Sequence, residues 1–158
     1  KQEFRKAVII ENPKKGLKYK IFNGRYRSAD LMDGQKPFST GTSDTLGAIV
    51  KNGEGDCGII FEGFVEVPAD GLYTFYLSSN DGSKLYIGEY NVVDNDSYTS
   101  AFNRKGEMIL KAGKIALSKG LHPITIKYFD WGSGEFIKAF IESPEMGKKE
   151  MDASMLYY

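Results

Sequence analysis

The chain has 158 residues, of which 21 are basic and 21 acidic, so its formal net charge at pH 7 is zero. The basic residues are dispersed along the sequence, whereas binding to nucleic acid through its phosphates requires clustered positive charge. No stretch reaches the roughly 20 apolar residues that span a bilayer. We therefore exclude a nucleic-acid partner and membrane insertion, and we expect one domain that folds without a disulfide or a metal.

The residue types favour strands over helices. Aromatic residues make up 13% of the chain, which also contains 18 glycines, and this combination is typical of an all-β fold with many turns. The only cysteine, Cys57, has no partner for an internal disulfide, and we expect a buried free thiol there. The chain begins at Lys1 rather than at a methionine, so we expect a piece of a longer polypeptide.

The first 56 residues show the least regular pattern. Residues 1–15 contain an apolar run at 7–10, predicted as a short strand, and then turn formers, which together predict a linker or a remnant of a preceding module. The domain proper is predicted at 16–158 and opens with a strand at 17–22. Ser28 is expected to cap a helical turn ending at Met32. The segment that follows is predicted to be irregular, with a short strand formed by the apolar residues Leu46, Ala48 and Val50 and their neighbours.

One stretch, residues 71–88, carries the clearest strand pattern. Apolar side chains alternate in both of its halves, on either side of the polar residues 78–83. Gly82 is expected to supply the positive φ of a tight turn, while Asn80 and Asp81 hydrogen-bond their own backbone. The pattern predicts a β-hairpin with an acidic tip.

The rest of the chain also alternates. Strands are predicted at 58–67, 90–93, 107–117, 122–128 and 137–141, the third of them folded back at Ala112 and Gly113. In the fourth strand, Thr125 and Lys127 are expected to face water. Short strands joined by turns predict an antiparallel β-sandwich or flattened barrel.

Several motifs follow one another in a fixed order. They are Phe61-x-Gly63-x-Val65-x-Val67-Pro68, Gly71-x-Tyr73-x-Phe75, Ser79-x-Asp81-Gly82-Ser83-x-Leu85-x-Ile87, Val92-Val93-Asp94-Asn95-Asp96 and Gly120-Leu121-His122-Pro123. Together they resemble the protective-antigen (PA-14) domain family, over about residues 16–158. The resemblance implies a PA-14-like β-sandwich and a periplasmic, cell-surface or extracellular location.

The resemblance also implies a metal site. In the sugar-binding adhesins of this family, two successive aspartates at the central turn hold Ca²⁺, and the corresponding residues here are Asn80 and Asp81. Asparagine ligates through its carbonyl oxygen without adding charge, so we expect Ca²⁺ to bind more weakly here. The alternative is that Asp81 only stabilises its own turn.

A second loop, residues 130–135, contains the only tryptophan. In the adhesins this segment contributes the second ligand-binding loop. The resemblance therefore implies a carbohydrate site made of Asn80, Asp81, Asp130, Trp131, Gly132 and Ser133. An exposed indole beside polar groups is suited to stacking on a sugar face. The alternative is that Trp131 covers the edge of the sandwich.

No catalytic residues are predicted. The single histidine, His122, lies at a strand entry, where we expect a structural role through a backbone hydrogen bond. The acidic loop residues stand where glycosidase acids occur, but acids on loops are usually only solvated. These residues are Asp81, Asp94, Asp96, Asp130 and Glu135.

We therefore expect a non-catalytic carbohydrate-binding accessory module of a secreted or surface glycoside hydrolase. Such a module raises the local concentration of the glycan around its parent catalytic domain in cis. Residues 12–19 resemble the junction ahead of such modules in bacterial β-hexosaminidases. The alternative is a structural module that packs against the catalytic domain of its parent and orients it.

Overall fold

The computed structural model describes residues 3–50, 55–97, 100–132 and 134–158. The strands, in chain order, are β1 Leu17–Asn23, β2 Ser39–Ser43, β3 Asp56–Val67, β4 Gly71–Asn80, β5 Ser83–Ile87, β6 Tyr90–Asn95, β7 Lys111–Leu117, β8 Gly120–Trp131, β9 Phe136–Ser143, β10 Gly147–Glu150 and β11 Leu156–Tyr157. The helical elements are a 3₁₀ turn at Ala29–Met32 and one α-helical turn, α1, at Gly47–Val50. Within the described ranges, no helix is long and apolar enough to cross a membrane.

The strands form two antiparallel sheets that pack face to face. The larger sheet has the order β2-β1-β3-β8-β5-β6, with β11 added to β3, and the smaller has the order β10-β9-β4-β7. Alternate side chains of both sheets point inward and form one core, whose largest fully buried members include Tyr73, Tyr128, Phe61 and Phe75. The predicted antiparallel β-sandwich is confirmed.

The predicted hairpin at residues 71–88 is wrong. β4 pairs with β7 and β9 in the smaller sheet, whereas β5 pairs with β6 and β8 in the larger sheet. Residues 81–82 therefore carry the chain from one sheet to the other. Alternation along a strand shows which side chains face the core, but it does not show which strand is the hydrogen-bonded neighbour.

The positive φ predicted for Gly82 is also wrong, since this glycine is not among the residues with positive φ. Its role is steric, because a Cβ atom placed there would lie 2.3 Å from the ring of Phe129. Gly82 thus lets the crossing segment pass directly against β8.

Four smaller predictions also differ from the structure. The segment predicted as a strand at 46–50 contains α1, and the apolar run at 7–10 forms only an isolated bridge from Val8 to Leu121. The irregular region contains an unpredicted strand, β2, whose sequence Ser-Thr-Gly-Thr-Ser has no apolar alternation. β7 covers only the second half of 107–117 and runs straight through Gly113, which pairs with Phe75.

Residues 24–33, which we call the strap, cross the outer face of the larger sheet. They pack there as a second small core made of Phe22, Ala29, Met32, Ile60 and Phe129. The strap forms two ion pairs with Lys127 of β8. The Nζ atom of Lys127 lies 2.7 Å from a carboxylate oxygen of Asp30 and 2.7 Å from one of Asp33. Lys127 is therefore buried instead of facing water as predicted, because the strap covers its side of the sheet.

The helical turn of the strap has an unexpected cap. Ser28 precedes the turn as predicted, but its side chain makes no capping hydrogen bond within the turn. Its hydroxyl donates instead to Asp96 at 2.6 Å, and the other carboxylate oxygen of Asp96 accepts from the N–H of Ala29 at 2.7 Å. An acid distant in sequence thus accepts from an N–H that has no partner within the turn.

Residues 100–110, which we call the lobe, lie against the smaller sheet. The carbonyl of Ala101 accepts a hydrogen bond from the hydroxyl of Ser78 on β4 at 3.1 Å. Ser78 points to the outer side of this strand, opposite to Phe75 and Leu77, yet it is buried because the lobe covers it. Among the described residues, an irregular segment thus packs on the outer face of each sheet.

Candidate functional site

The two loops predicted to form a binding site meet at one end of the sandwich. The N–H of Trp131 donates to a carboxylate oxygen of Asp81 at 2.9 Å. Nearby, the N–H of Asp81 donates to the carbonyl of Phe129 at 3.0 Å, and the N–H of Phe129 donates to the carbonyl of Gly82 at 3.0 Å. The crossing between the sheets thus extends alongside the end of β8, and it places Asp81 beside the second loop.

Asp130 is fully buried at this end of the sandwich. One carboxylate oxygen accepts from the N–H of Gly132 at 2.9 Å, while the other oxygen has no hydrogen-bond partner within the described part of the chain. Burial raises the pKa of Asp130, and the Gly132 hydrogen bond opposes that rise. Three nearby carboxylates, those of Glu135, Asp81 and Asp56, raise it further.

Asn80 is turned toward the lobe. Its side-chain oxygen accepts from the N–H of Ala101 at 2.8 Å, and its backbone carbonyl accepts from the hydroxyl of Tyr128. The peptide bond between Asn80 and Asp81 is cis. The two neighbouring residues therefore bind different segments. Asn80 accepts a hydrogen bond from the lobe, and Asp81 accepts one from the end of β8.

The donor atoms at this end have the chemistry that Ca²⁺ prefers. Ca²⁺ takes hard oxygen ligands, and both Asp81 and Asp130 present carboxylates here, one of them with a buried oxygen that lacks a partner. Histidine, cysteine and acidic side chains do not form a metal-binding group of three or more in the described ranges, so carbonyl oxygens or water would have to complete the shell. Asp130 has a carboxylate oxygen without a hydrogen-bond partner in the described residues, whereas the amide oxygen of Asn80 already accepts from the N–H of Ala101.

Trp131 packs against the strap. The guanidinium of Arg25 lies 4.1 Å from the centre of the indole ring, and the indole N–H donates to the carbonyl of Tyr26 at 2.8 Å. The ring also lies 6.5 Å from that of Phe129. These contacts favour the alternative in which Trp131 covers the edge of the sandwich. Of the other predicted residues, Gly132 is exposed at the loop and Ser133 lies outside the described residues.

An aromatic pair beside Asn80 was not predicted from the sequence. Phe136 of β9 is the register partner of Asn80, and its ring meets that of Phe102 edge to face with the ring centres 4.9 Å apart. Phe102 is 39% exposed, and the nearby Ile109 of the lobe is 45% exposed. The available signal in the sequence was Phe102, an aromatic residue in an otherwise polar segment.

Two residues with reactive side chains are structural. His122 is buried, with Nε2 lying 2.7 Å from the carbonyl of Ser118, as expected for a strand-entry histidine. Cys57 is the buried free thiol that was predicted. Burial and the carboxylates near it raise the pKa of Cys57 to about 11, so the thiol stays protonated at neutral pH.

The sequence matches the model of the PA14 domain over residues 13–154. This chain belongs to the PA14 domain family. These residues form a PA14 domain, which is a non-catalytic module. A comparison with curated proteins finds no significant match.

Solved structures show the same PA14 fold. An anti-sigma factor domain-containing protein superposes with a TM-score of 0.73 at 19% identity, covering 96% of this chain and 50% of that one. The PA14 sugar-binding domain from an RTX adhesin superposes with a TM-score of 0.72 at 13% identity, covering 91% and 98%. A β-glucosidase from Kluyveromyces marxianus gives a TM-score of 0.61 at 15% identity, covering 81% and 16%. The chain thus spans about half of the first protein and a small part of the third.

Proposed function

We propose that this PA14 domain binds a glycan at the end of the sandwich where residues 79–83 meet residues 130–135. The observation that carries the proposal is the hydrogen bond from Trp131 N–H to Asp81, which joins two loops distant in sequence beside the buried carboxylate of Asp130. A cluster of oriented oxygen acceptors suits a ligand rich in hydroxyl groups. The similarity in fold to a sugar-binding PA14 domain supports this choice of ligand.

Ca²⁺ would be held by the carboxylates of Asp81 and Asp130. The bound ion would supply open coordination positions for vicinal sugar hydroxyls. Both carboxylates are oriented by backbone hydrogen bonds. The N–H of Trp131 donates to Asp81, and the N–H of Gly132 donates to Asp130. Asp130 thereby contributes the second negative charge that Asn80 lacks.

The wider role that we propose is that of an accessory module in a longer secreted or surface protein. A glycan held by the module would raise the local concentration of substrate for a catalytic domain in cis. A glycoside hydrolase is the parent we favour, because a PA14-like fold also occurs as a small part of a β-glucosidase. None of the matched structures described above supports the β-hexosaminidase parent expected from residues 12–19.

A second candidate role is packing against another domain of the same protein. It is favoured by apolar side chains that the N-terminal segment leaves in solvent, namely Phe4, Val8 and Ile9, the last of them 99% exposed. Tyr90 is also exposed next to this segment, with the guanidinium of Arg5 above its ring at 4.9 Å. This surface lies apart from the proposed glycan site, so the two roles are compatible.

A glycan array with and without Ca²⁺ tests the proposal directly, and thermal unfolding tests its metal. At a Ca²⁺ concentration about one hundred times the dissociation constant, binding adds about 2.7 kcal/mol to the free energy of unfolding. We expect Asp81→Ala and Asp130→Asn each to reduce this gain strongly. Asp44→Asn, which changes an exposed aspartate elsewhere, serves as the control.

The two measurements separate the parts of the proposal. A wild-type melting temperature that does not respond to millimolar Ca²⁺ rules out the metal. An array without any bound glycan in either condition rules out the glycan function and leaves domain packing as the better explanation.

A further inference from the structure

The lobe leaves an aromatic surface next to the proposed glycan site. Phe102 and Phe136 form its edge-to-face pair, and the side chain of Ile109 lies exposed on the same lobe. A partly exposed aromatic pair exposes apolar surface that gains free energy when a ligand covers it. The position of this pair relative to the carboxylates decides which ligand it suits.

Asn80 connects this surface to the carboxylates. Its amide oxygen accepts from the N–H of Ala101, the residue before Phe102, and its strand position pairs with Phe136. Asp81 follows Asn80 directly in the chain. Asn80 thus links the segments that carry the aromatic pair to the proposed Ca²⁺ ligand Asp81.

Hydrogen bonds within the lobe also fix its conformation. The N–H of Asn103 donates to the carbonyl of Glu107 at 2.9 Å, and the side-chain oxygen of Asn103 accepts from the N–H groups of Lys105 at 2.9 Å and Glu107 at 3.0 Å. The N–H of Ile109 donates to the carbonyl of Ala101 at 2.8 Å. A segment ordered in this way loses little conformational freedom when a ligand binds.

We propose that Phe102 and Phe136 form the apolar wall of the glycan site, that Asn80 positions this wall, and that Trp131 is structural. A pyranose carries C–H groups on its ring faces and hydroxyls around its rim. Such a ring can place one face on the aromatic pair while its hydroxyls point to the carboxylate end. The ligand class is therefore a pyranoside with a continuous C–H face, such as a β-galactoside or β-glucoside. This inference rests on the proposed glycan function.

Trp131 is the less suitable wall for two reasons. The guanidinium of Arg25 covers one of its faces, and its N–H is used in a bond to the carbonyl of Tyr26. A sugar on that indole would have to displace Arg25, whereas Phe102 already exposes 39% of its surface and the ammonium of Lys138 stays 6.0 Å from the ring of Phe136.

Titration calorimetry with Ca²⁺ present tests the wall, using methyl β-galactoside, methyl α-mannoside and cellotriose as probes. We expect Phe102→Ala to weaken binding of the best probe about tenfold, and Phe102→Trp to restore it. Phe38→Ala is the matched control, since Phe38 is a 72% exposed aromatic residue on another part of the surface. Unchanged melting temperatures show that the variants are folded, which the exposure of both side chains leads us to expect.

The possible outcomes distinguish a failure of the proposed aromatic wall from a failure of the proposed glycan binding. Wild-type binding that Phe102→Ala leaves unchanged, while Asp81→Ala abolishes it, overturns the aromatic wall and keeps the glycan function. Loss of binding in Trp131→Phe but not in Phe102→Ala assigns the wall to Trp131. A wild-type protein that binds none of the three probes overturns both the function and the wall.

Discussion

The strap and the lobe differ in how they are fastened and in what they leave exposed. The strap buries Ala29 and Met32 completely and adds ion pairs to Lys127, whose own side chain is buried. The lobe buries Ala101 and is held by hydrogen bonds at this residue, while Phe102 and Ile109 remain exposed. Both are irregular segments packed on the outer face of a sheet.

This difference shows where a ligand can approach. The strap closes the face beneath it, and Trp131 belongs to that closed surface through its contacts with Arg25 and Tyr26. The lobe instead adds aromatic surface to an open edge. We therefore expect changes in the strap to alter stability and changes in the lobe to alter binding.

The largest expected effect is on the apolar anchor of the strap. Met32→Ala should lower the free energy of unfolding by about 2 to 5 kcal/mol, because it leaves a cavity under a fully buried side chain. Ile109→Ala in the lobe should lower it by less than about 1 kcal/mol, since that side chain is half exposed. Chemical denaturation of both variants measures this contrast, and equal losses would contradict it.

A smaller effect concerns the charges under the strap. Burial alone would raise the pKa of Asp30, but hydrogen bonds from Lys127, Lys84 and Tyr86 lower it to about 2. Since the unfolded value is about 3.9, Asp30 stabilises the fold above that pH, and this contribution is lost as the pH falls toward 2.

Asp30→Asn should therefore destabilise the domain at pH 7 by about 1 to 2 kcal/mol, because the cations that remain lose a charged partner, while the 38% exposure of the Asp30 side chain lets solvent screen part of the attraction. The difference in the free energy of unfolding between the variant and the wild type should become smaller as the pH falls from 4 to 2. Denaturation at several pH values measures it, with Asp44→Asn as an exposed control. A difference in the free energy of unfolding that stays constant with pH would show that the charge of Asp30 does not stabilise the packing of the strap.

The attachment of the lobe should matter less for stability. Asn80→Ala leaves the buried N–H of Ala101 without its acceptor, which costs about 1 to 2 kcal/mol. Hydrogen exchange should accelerate within residues 100–110 only. Asn91→Ala removes a side chain that bonds to two carbonyls near β6, and it should leave exchange in the lobe unchanged.

The smallest expected effect is at Trp131. Trp131→Phe removes the hydrogen bond to the carbonyl of Tyr26 and should lower the free energy of unfolding by about 1 kcal/mol. Glycan affinity should stay within about twofold, because the wall at Phe102 and the Asp81 carboxylate are untouched. Titration calorimetry measures the glycan affinity of this variant. A large loss of affinity would show that the ligand contacts Trp131 beside the strap.

The sequence by itself determined the fold class. Alternation in residues 58–67 and 71–88 identifies the strands and the side of each that faces the core, since side chains on a strand point to opposite faces in turn. The order of the motifs identified the family, which places residues 79–83 and 130–135 at the same end of one sandwich. The buried thiol of Cys57 was predicted from the habit of its residue type, and the backbone hydrogen bond of His122 from its position at a strand entry.

Only the tertiary structure decided which groups meet. β4 and β5 adjoin in sequence but belong to different sheets, because strand pairing depends on the packing of the whole chain. Lys127 is buried by Asp30, a partner 97 residues away, and Asn80 accepts from Ala101, 21 residues away. A polar side chain in a strand looks solvent-facing until a distant segment covers it, so charge partners and aromatic neighbours follow from packing rather than from local pattern.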